Sequence, residues 1–205
     1  MAITLYALKP RFQALLHPAV GRMAAAGVTA NQVTLAAAAG SVLLGGLLAL
    51  QGPARPALFL LLPAWLALRM ALNAVDGMLA REFGQKSRLG AFLNELGDVV
   101  SDAALYLPFA LVAPFAPAWV VIVVVLAVTG ELAGVLGQTI GASRRYDGPL
   151  GKSDRALVFG ALGLWVGLAP LPAMIAWAMP VLAVLAAVGI VNRVRRALAE
   201  AEGRA

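Results

Sequence analysis

Cysteine is absent from the 205 residues, which excludes disulfides and thiolate metal sites. Histidine occurs once, at His17, so a histidine-based zinc site is excluded and a Ser-His triad has little to build on. Charge is scarce as well: Asp, Glu, Lys and Arg make up 13% of the chain, against roughly 25% in a soluble globular domain. Hydrophobic residues supply 61%, and the mean hydropathy is +0.87. This is the composition of an integral membrane protein. Basic residues outnumber acidic ones by six, which suits side chains that face anionic lipid headgroups or phosphate-bearing substrates. The charge alone would permit nucleic-acid binding, but no RNA- or DNA-binding motif is present and no such partner is expected. No secretory leader is expected either, because Lys9, Arg11 and His17 interrupt any short apolar core.

The apolar residues predict an all-α membrane protein, with six transmembrane helices preceded by an N-terminal amphipathic interfacial helix. Residues 3–26 carry Leu5, Leu8, Phe12, Leu15 and Leu16 near helical spacing, but also Lys9, Arg11, His17 and Arg22. A spanning helix would not tolerate those interruptions; a helix lying in the membrane surface would. Thr29 or Asn31 can cap a first span from about Asn31 to Leu50, which Gln51-Gly52-Pro53 closes. Further spans are predicted at about Pro56–Arg81, Gly90–Val112 and Ala118–Ala142. The apolar run from Ala156 to Asn192 is too long for one crossing of ~30 Å and divides at Ala169-Pro170-Leu171-Pro172. One domain over residues 1–205 is expected: the surface helix to residue 28, the bundle over 29–197 and a polar tail.

With the N-terminus cytoplasmic, that side collects almost every Lys and Arg, and the opposite turns collect only Arg55. Trp119, Trp165 and Trp177 then fall near the outer helix ends, as an interfacial belt would. Both termini are therefore expected in the cytoplasm, in what reads as a bacterial inner membrane. Gly130 and Gly134, Gly137 and Gly141, and Gly163 and Gly167 recur at four-residue spacing, which predicts close helix packing.

Acids beside membrane spans need a compensating reason, and they concentrate between Asn73 and Asp102. Asn73, Asp76, Gly77 and Ala80 share one face of the second span; Gly90, Asn94, Asp98 and Asp102 follow at helical spacing on the third. Gly77 and Ala80 leave that face nearly bare, so a flat ligand can approach the backbone. Two oxygen-bearing faces joined by a short turn can converge on a hard divalent cation. Arg81, Lys86 and Arg88 stand ready to meet phosphate.

In this pattern the sequence resembles the CDP-alcohol phosphotransferases, whose signature is D-x2-D-G-x2-A-R-x8-G-x3-D-x3-D. Its positions are held here by Asn73, Asp76, Gly77, Ala80, Arg81, Gly90, Asn94 and Asp98, with every spacing kept. Thr29-Ala30-Asn31-Gln32-Val33-Thr34 is similar to the family's T-P-N-x-x-T. The resemblance implies a homodimeric enzyme of phospholipid biosynthesis. It would move a phosphatidyl group from a lipid such as CDP-diacylglycerol to a polar alcohol, with release of CMP. It implies Asp98 as the base, and Asn73, Asp76, Asn94 and Asp98 as ligands of one or two Mg²⁺ or Mn²⁺ ions. Asn73, Asp76, Gly77, Ala80, Arg81 and Gly90 would receive the nucleotide.

The first and third aspartates of the signature are asparagines here. Asn offers a carbonyl oxygen without charge and holds a hard cation less firmly. Glu95 and Asp102, at i−3 and i+4 from Asp98, are candidates to restore the charge. Three outcomes remain open: one metal, two metals with altered ligands, or lost catalysis. Arg144, Arg145, Lys152 and Arg155 form either a receptor for a phosphorylated acceptor or an ordinary positive-inside anchor. Arg69 and Glu131, each within a span, are expected to pair with one another; the alternative has Arg69 reaching a substrate phosphate. A catalytically impaired relative that binds nucleotide lipid or supports a partner is the main rival. An ion or proton transporter is the lesser one, since no inverted-repeat pairing of broken helices is seen.

Overall fold

The computed structural model of the chain describes residues 5–203, with side chains from Phe12 onward. The side chains of Leu5, Leu8, Lys9 and Arg11, and the end of the tail at Arg204, lie outside the described residues. Seven α-helices follow in order: α1 (Leu5–Ala25), α2 (Ala30–Gln51), α3 (Leu61–Glu82), α4 (Arg88–Tyr106), α5 (Pro117–Leu136), α6 (Lys152–Leu168) and α7 (Ala178–Ala201). The described residues contain no strand. Short 3-10 turns extend several helices at Pro56–Leu60, Leu107–Leu111, Gly137–Ile140 and Ala173–Trp177. Pro108 explains one of them, because it has no N–H to continue the ladder of α4.

Four segments are long and apolar enough to cross a membrane: Ala30–Gln51, Pro56–Glu82, Pro117–Ile140 and Ala173–Ala201. The two remaining bundle helices differ for a physical reason. Four charged residues, Arg88, Glu95, Asp98 and Asp102, ride on α4. Helix α6 has 17 residues and opens with Lys152, Asp154 and Arg155. Its start is earlier than the hydropathy predicts, because the Asp154 carboxylate accepts from the Gly151 N–H at 3.0 Å and stabilises the first turn. Lys152 and Arg155 are thus helical residues, not members of a loop.

Packing pairs α2 with α4 and α3, α5 with α7, and α3 with α6. The main core stacks Tyr106 on Phe159 at 3.9 Å between ring centres, and Phe109 meets Phe59, Phe115 and Phe159 edge-on. A second core holds α1 in place: Val20, fully buried, packs with Leu16 and Met23 against Val33, Val75, Met78 and Leu79. Leucines and valines such as Leu43, Leu50, Val125, Leu157 and Val184 point outward, as a lipid-facing surface requires.

The glycine pairs have more varied duties than helix packing. Gly130 does face Ile190 of α7, while Gly163 and Gly167 receive Leu62 and Leu60. Gly134, however, lies under the backbone of Arg145, and Gly141 adopts φ +84 to end a turn in open space. At Gly148, with φ +100, an added Cβ would stand 2.7 Å from Gly189 Cα. That contact seats the 141–151 loop against α7.

Tyr106 is fully buried and its hydroxyl has no partner among the described residues. An unsatisfied buried hydroxyl costs about 1–3 kcal/mol. Tyr106→Phe should therefore keep the stack on Phe159 and raise the thermal midpoint in detergent; a clear fall would show that the hydroxyl is bonded.

Candidate active site

The local chemistry of three helix ends brings the site together. Thr29 caps α2: its hydroxyl accepts from Gln32 N–H at 3.2 Å, and the Gln32 side chain accepts from Thr29 N–H at 2.9 Å. Gln85, in the turn between α3 and α4, accepts from Ala30 N–H at 2.7 Å and donates to the Val28 carbonyl at 3.3 Å. Ser87 caps α4 by accepting from Gly90 N–H at 2.9 Å. A Cβ on Gly90 would stand 2.8 Å from Asn31 Oδ1, so glycine there lets the start of α4 meet the start of α2. Together these bonds bind the end of α3 and the start of α4 to α2.

On that frame, Asp76 is buried and accepts from the Thr34 hydroxyl at 2.8 Å. It lies within electrostatic reach of both Lys152 and Asp98. Lys152 Nζ is 2.5 Å from Asp98 Oδ2, and Arg69 Nη2 is 3.2 Å from Asp98 Oδ1. Asn73, one turn before Asp76, has a buried amide nitrogen without a partner among the described residues. Asn94 is half-buried one turn before Asp98. Arg81 is exposed and folds its guanidinium back over Gly77, within 3 Å of where a Cβ would be. Lys86 and Arg88 are exposed at the turn.

Arg69 and Glu131 do not pair with each other. Arg69 Nη1 binds Asp102 Oδ1 at 2.5 Å, and its other nitrogen reaches Asp98. Glu131 instead takes Arg155 at 2.9 Å, Arg144 at 3.2 Å and Arg193 at 3.6 Å. Arg155 also donates to Asp102 Oδ2 at 2.9 Å, so both oxygens of Asp102 are held by arginines. Hydropathy places Arg69 and Glu131 at similar depth, but three other helices and a loop contribute closer partners.

The four cations read as a group divide in two. Arg144, Lys152 and Arg155 turn inward to Glu95, Asp98, Asp102 and Glu131. Arg145 turns to Asp147 at 2.7 Å and Glu200 at 2.5 Å. Its guanidinium hydrogen-bonds the Asp147 carboxylate and holds that group below the usual carboxylate range.

Sequence reasoning missed two site residues. Thr34 read as part of a helix start, yet its hydroxyl orients Asp76. Arg193 follows the last apolar run and has no expected role in the sequence, yet it is buried and donates to the Gly130 carbonyl at 2.5 Å. Only the absence of a side chain at Gly130 and Gly134 hinted that something large must lie opposite.

No group of three His, Cys, Asp or Glu side chains converges among the described residues. The carboxylates of Asp76 and Asp98 and the amide oxygens of Asn73 and Asn94 are donors of the kind that could hold a hard cation. The amide of Asn73 agrees with that, since a flipped amide would aim its oxygen where the nitrogen finds no acceptor among the described residues.

A sequence profile of the CDP-alcohol phosphatidyltransferase family matches residues 27–191. The inner membrane protein YnbA of Escherichia coli (strain K12) is 54% identical over 168 residues, which cover 82% of this chain and 83% of YnbA. The fold is shared with the phosphatidylinositol phosphate synthase PgsA1 of Mycobacterium tuberculosis, solved with CDP-DAG bound. That likeness has a TM-score of 0.72 at 20% identity and covers 88% of this chain and 92% of the synthase. The same synthase in complex with manganese and citrate gives a TM-score of 0.72, also at 20% identity, over 88% of each chain. The chain therefore belongs to the CDP-alcohol phosphatidyltransferase family, whose chemistry is phosphatidyl transfer in phospholipid synthesis.

Proposed function

We propose that this chain catalyses the transfer of a phosphatidyl group from CDP-diacylglycerol or a similar lipid to a polar alcohol, and that its two asparagines leave it active with one divalent ion. The observation that carries this reading is that Asp76 and Asp98, on successive helices, lie within electrostatic reach of each other, beside a Gly77 whose face is covered by the movable Arg81 guanidinium. Lys152 and Arg69 hold Asp98 in position, and Thr34 holds Asp76.

Gly77 and Ala80 give the cytidine nucleotide close access to α3, and Arg81 swings off Gly77 to meet its phosphate. Asp76 and Asp98, with Asn73 and Asn94, would hold Mg²⁺ or Mn²⁺, as Lys152 gives up its place on Asp98. The bound ion supplies charge neutralisation at the diphosphate. Asp98 accepts the proton of the alcohol, the alcohol oxygen bonds to the β-phosphorus, and the bond from that phosphorus to the oxygen of CMP breaks. The manganese in the mycobacterial synthase's structure supports the choice of ion.

The same reading assigns six crossings, with α4 and α6 completing the four apolar ones, both termini cytoplasmic and α1 lying in the interface. Their charged ends gather where the basic residues gather, which agrees with a positive-inside topology. The enzyme works as a homodimer in this account. A second reading, a relative without catalysis, is favoured by one observation: no three acidic groups converge among the described residues.

Purified protein in CDP-diacylglycerol micelles separates the two. Mn²⁺ or Mg²⁺ with a suitable alcohol should release CMP, and a chelator should stop it. Asn73→Asp combined with Asn94→Asp should raise metal affinity and the number of ions bound. Nucleotide-lipid binding without CMP release from any alcohol would favour the second reading. Gly77→Ala provides a finer check. The nearest atoms to the new methyl belong to a flexible, exposed Arg81, so stability should hardly change while the KM for the CDP-lipid rises at least about tenfold.

A further inference from the structure

The cations around the reacting groups look like a phosphate receptor until their partners are counted. Arg144 Nη2 lies 2.6 Å from Glu95 Oε2 and 3.2 Å from Glu131 Oε2. Arg155 is shared between Asp102 and Glu131, and Lys152 is on Asp98. Arg145, on the far side of the loop, is held by Asp147 and Glu200. Even Arg193, the cation that α7 adds, leans on Glu131 at 3.6 Å and on a carbonyl.

Glu131 matters most here. It is 7% exposed, sits in the last two turns of α5, and is the common partner of Arg144, Arg155 and Arg193. A phosphate ester entering among these arginines would have to displace a carboxylate fixed in the helix and would meet its charge at close range. Like charges brought together in a recognition site discriminate against the wrong ligand far more strongly than the lost attraction alone. An uncharged polyol meets no such penalty: carboxylate oxygens accept its hydroxyls and the guanidinium groups donate to them.

We propose that the acceptor site between α4, α5, α6 and the 143–151 loop takes an alcohol that carries no phosphate, its arginines Arg144 and Arg155 being already matched by Glu95, Asp102 and Glu131. This rests on the transferase reading above and narrows its acceptor class. Glu131 and Glu95 act as specificity-determining residues. Removal of either charge frees arginine for an anion.

The test pairs turnover with titration. CMP release is measured with glycerol against glycerol 3-phosphate and with inositol against inositol 1-phosphate. Calorimetry on the same protein follows glycerol 3-phosphate and inorganic phosphate. The wild type should prefer an unphosphorylated member by at least about tenfold in kcat/KM and show no saturable phosphate-ester binding in the millimolar range. Glu131→Gln should gain that binding. Glu95→Gln, at a partly exposed position, frees Arg144 and carries the test should Glu131→Gln fail to fold. A preference for the phosphorylated alcohols overturns the proposal. So does saturable ester binding by the wild type that Arg144→Gln or Arg155→Gln abolishes. Were no alcohol of either kind to release CMP, the transferase reading would fail, while the titrations would still decide whether the site accepts phosphate.

Discussion

Replacing Asp98 with asparagine is expected to lower CMP release by about 10²–10⁴-fold. The side chain keeps its size and its hydrogen bond from Arg69, but an amide cannot take the proton of the alcohol. The fold should survive, because Asp98 is only partly buried and Lys152, its other partner, is half-exposed on the first turn of α6. Nucleotide-lipid binding should fall much less than turnover, which separates loss of a base from loss of the site. Lys152→Gln is the useful companion. If Lys152 merely holds Asp98 ready until the cation binds, its loss should raise the apparent metal affinity and leave measurable turnover.

Asp102→Ala should have the largest effect on stability. Asp102 is 5% exposed and takes Arg69 at 2.5 Å and Arg155 at 2.9 Å and 3.1 Å. Without it, two buried guanidinium groups lose a carboxylate, and breaking a buried ion pair from one side costs about 3–5 kcal/mol. Unfolding of the detergent-solubilised protein by heat should show a loss on that scale, and Asp102→Asn should recover part of it by offering a carbonyl oxygen. Unchanged stability with abolished metal binding would make Asp102 a metal ligand instead, the compensating acid that its spacing from Asp98 first suggests.

Much of the fold was legible because lipid demands long apolar helices and turns between them. The division of the last apolar run at Pro170 and Pro172, and the capping of α2 by Thr29, follow from local chemistry that the sequence carries in full. Helix boundaries at charged ends were less legible. Lys152 and Arg155 sit in a run rich in glycine and charge, and the helix there opens with the Gly151 N–H bonded to Asp154 and the Arg155 N–H bonded to the Gly151 carbonyl. At the site, the α3 and α4 faces were readable because one helical period relates their members. The partners of Arg69 and Glu131 were not. They depend on which helices adjoin, and a sequence of uniformly apolar spans does not say which ones do. Two spans at equal depth suggested one ion pair; the bundle builds a network across α3, α4, α5, α6 and α7 instead.

The most direct test of the account is the identity of the lipid formed. Purified protein is incubated with CDP-diacylglycerol, Mn²⁺ and an unphosphorylated alcohol, and both CMP and the lipid product are quantified by mass spectrometry. The account predicts one new phosphodiester lipid, of the mass of phosphatidyl plus alcohol, for each CMP released. CMP accompanied only by phosphatidic acid, or unchanged CDP-diacylglycerol beside intact, lipid-bound protein, would contradict it.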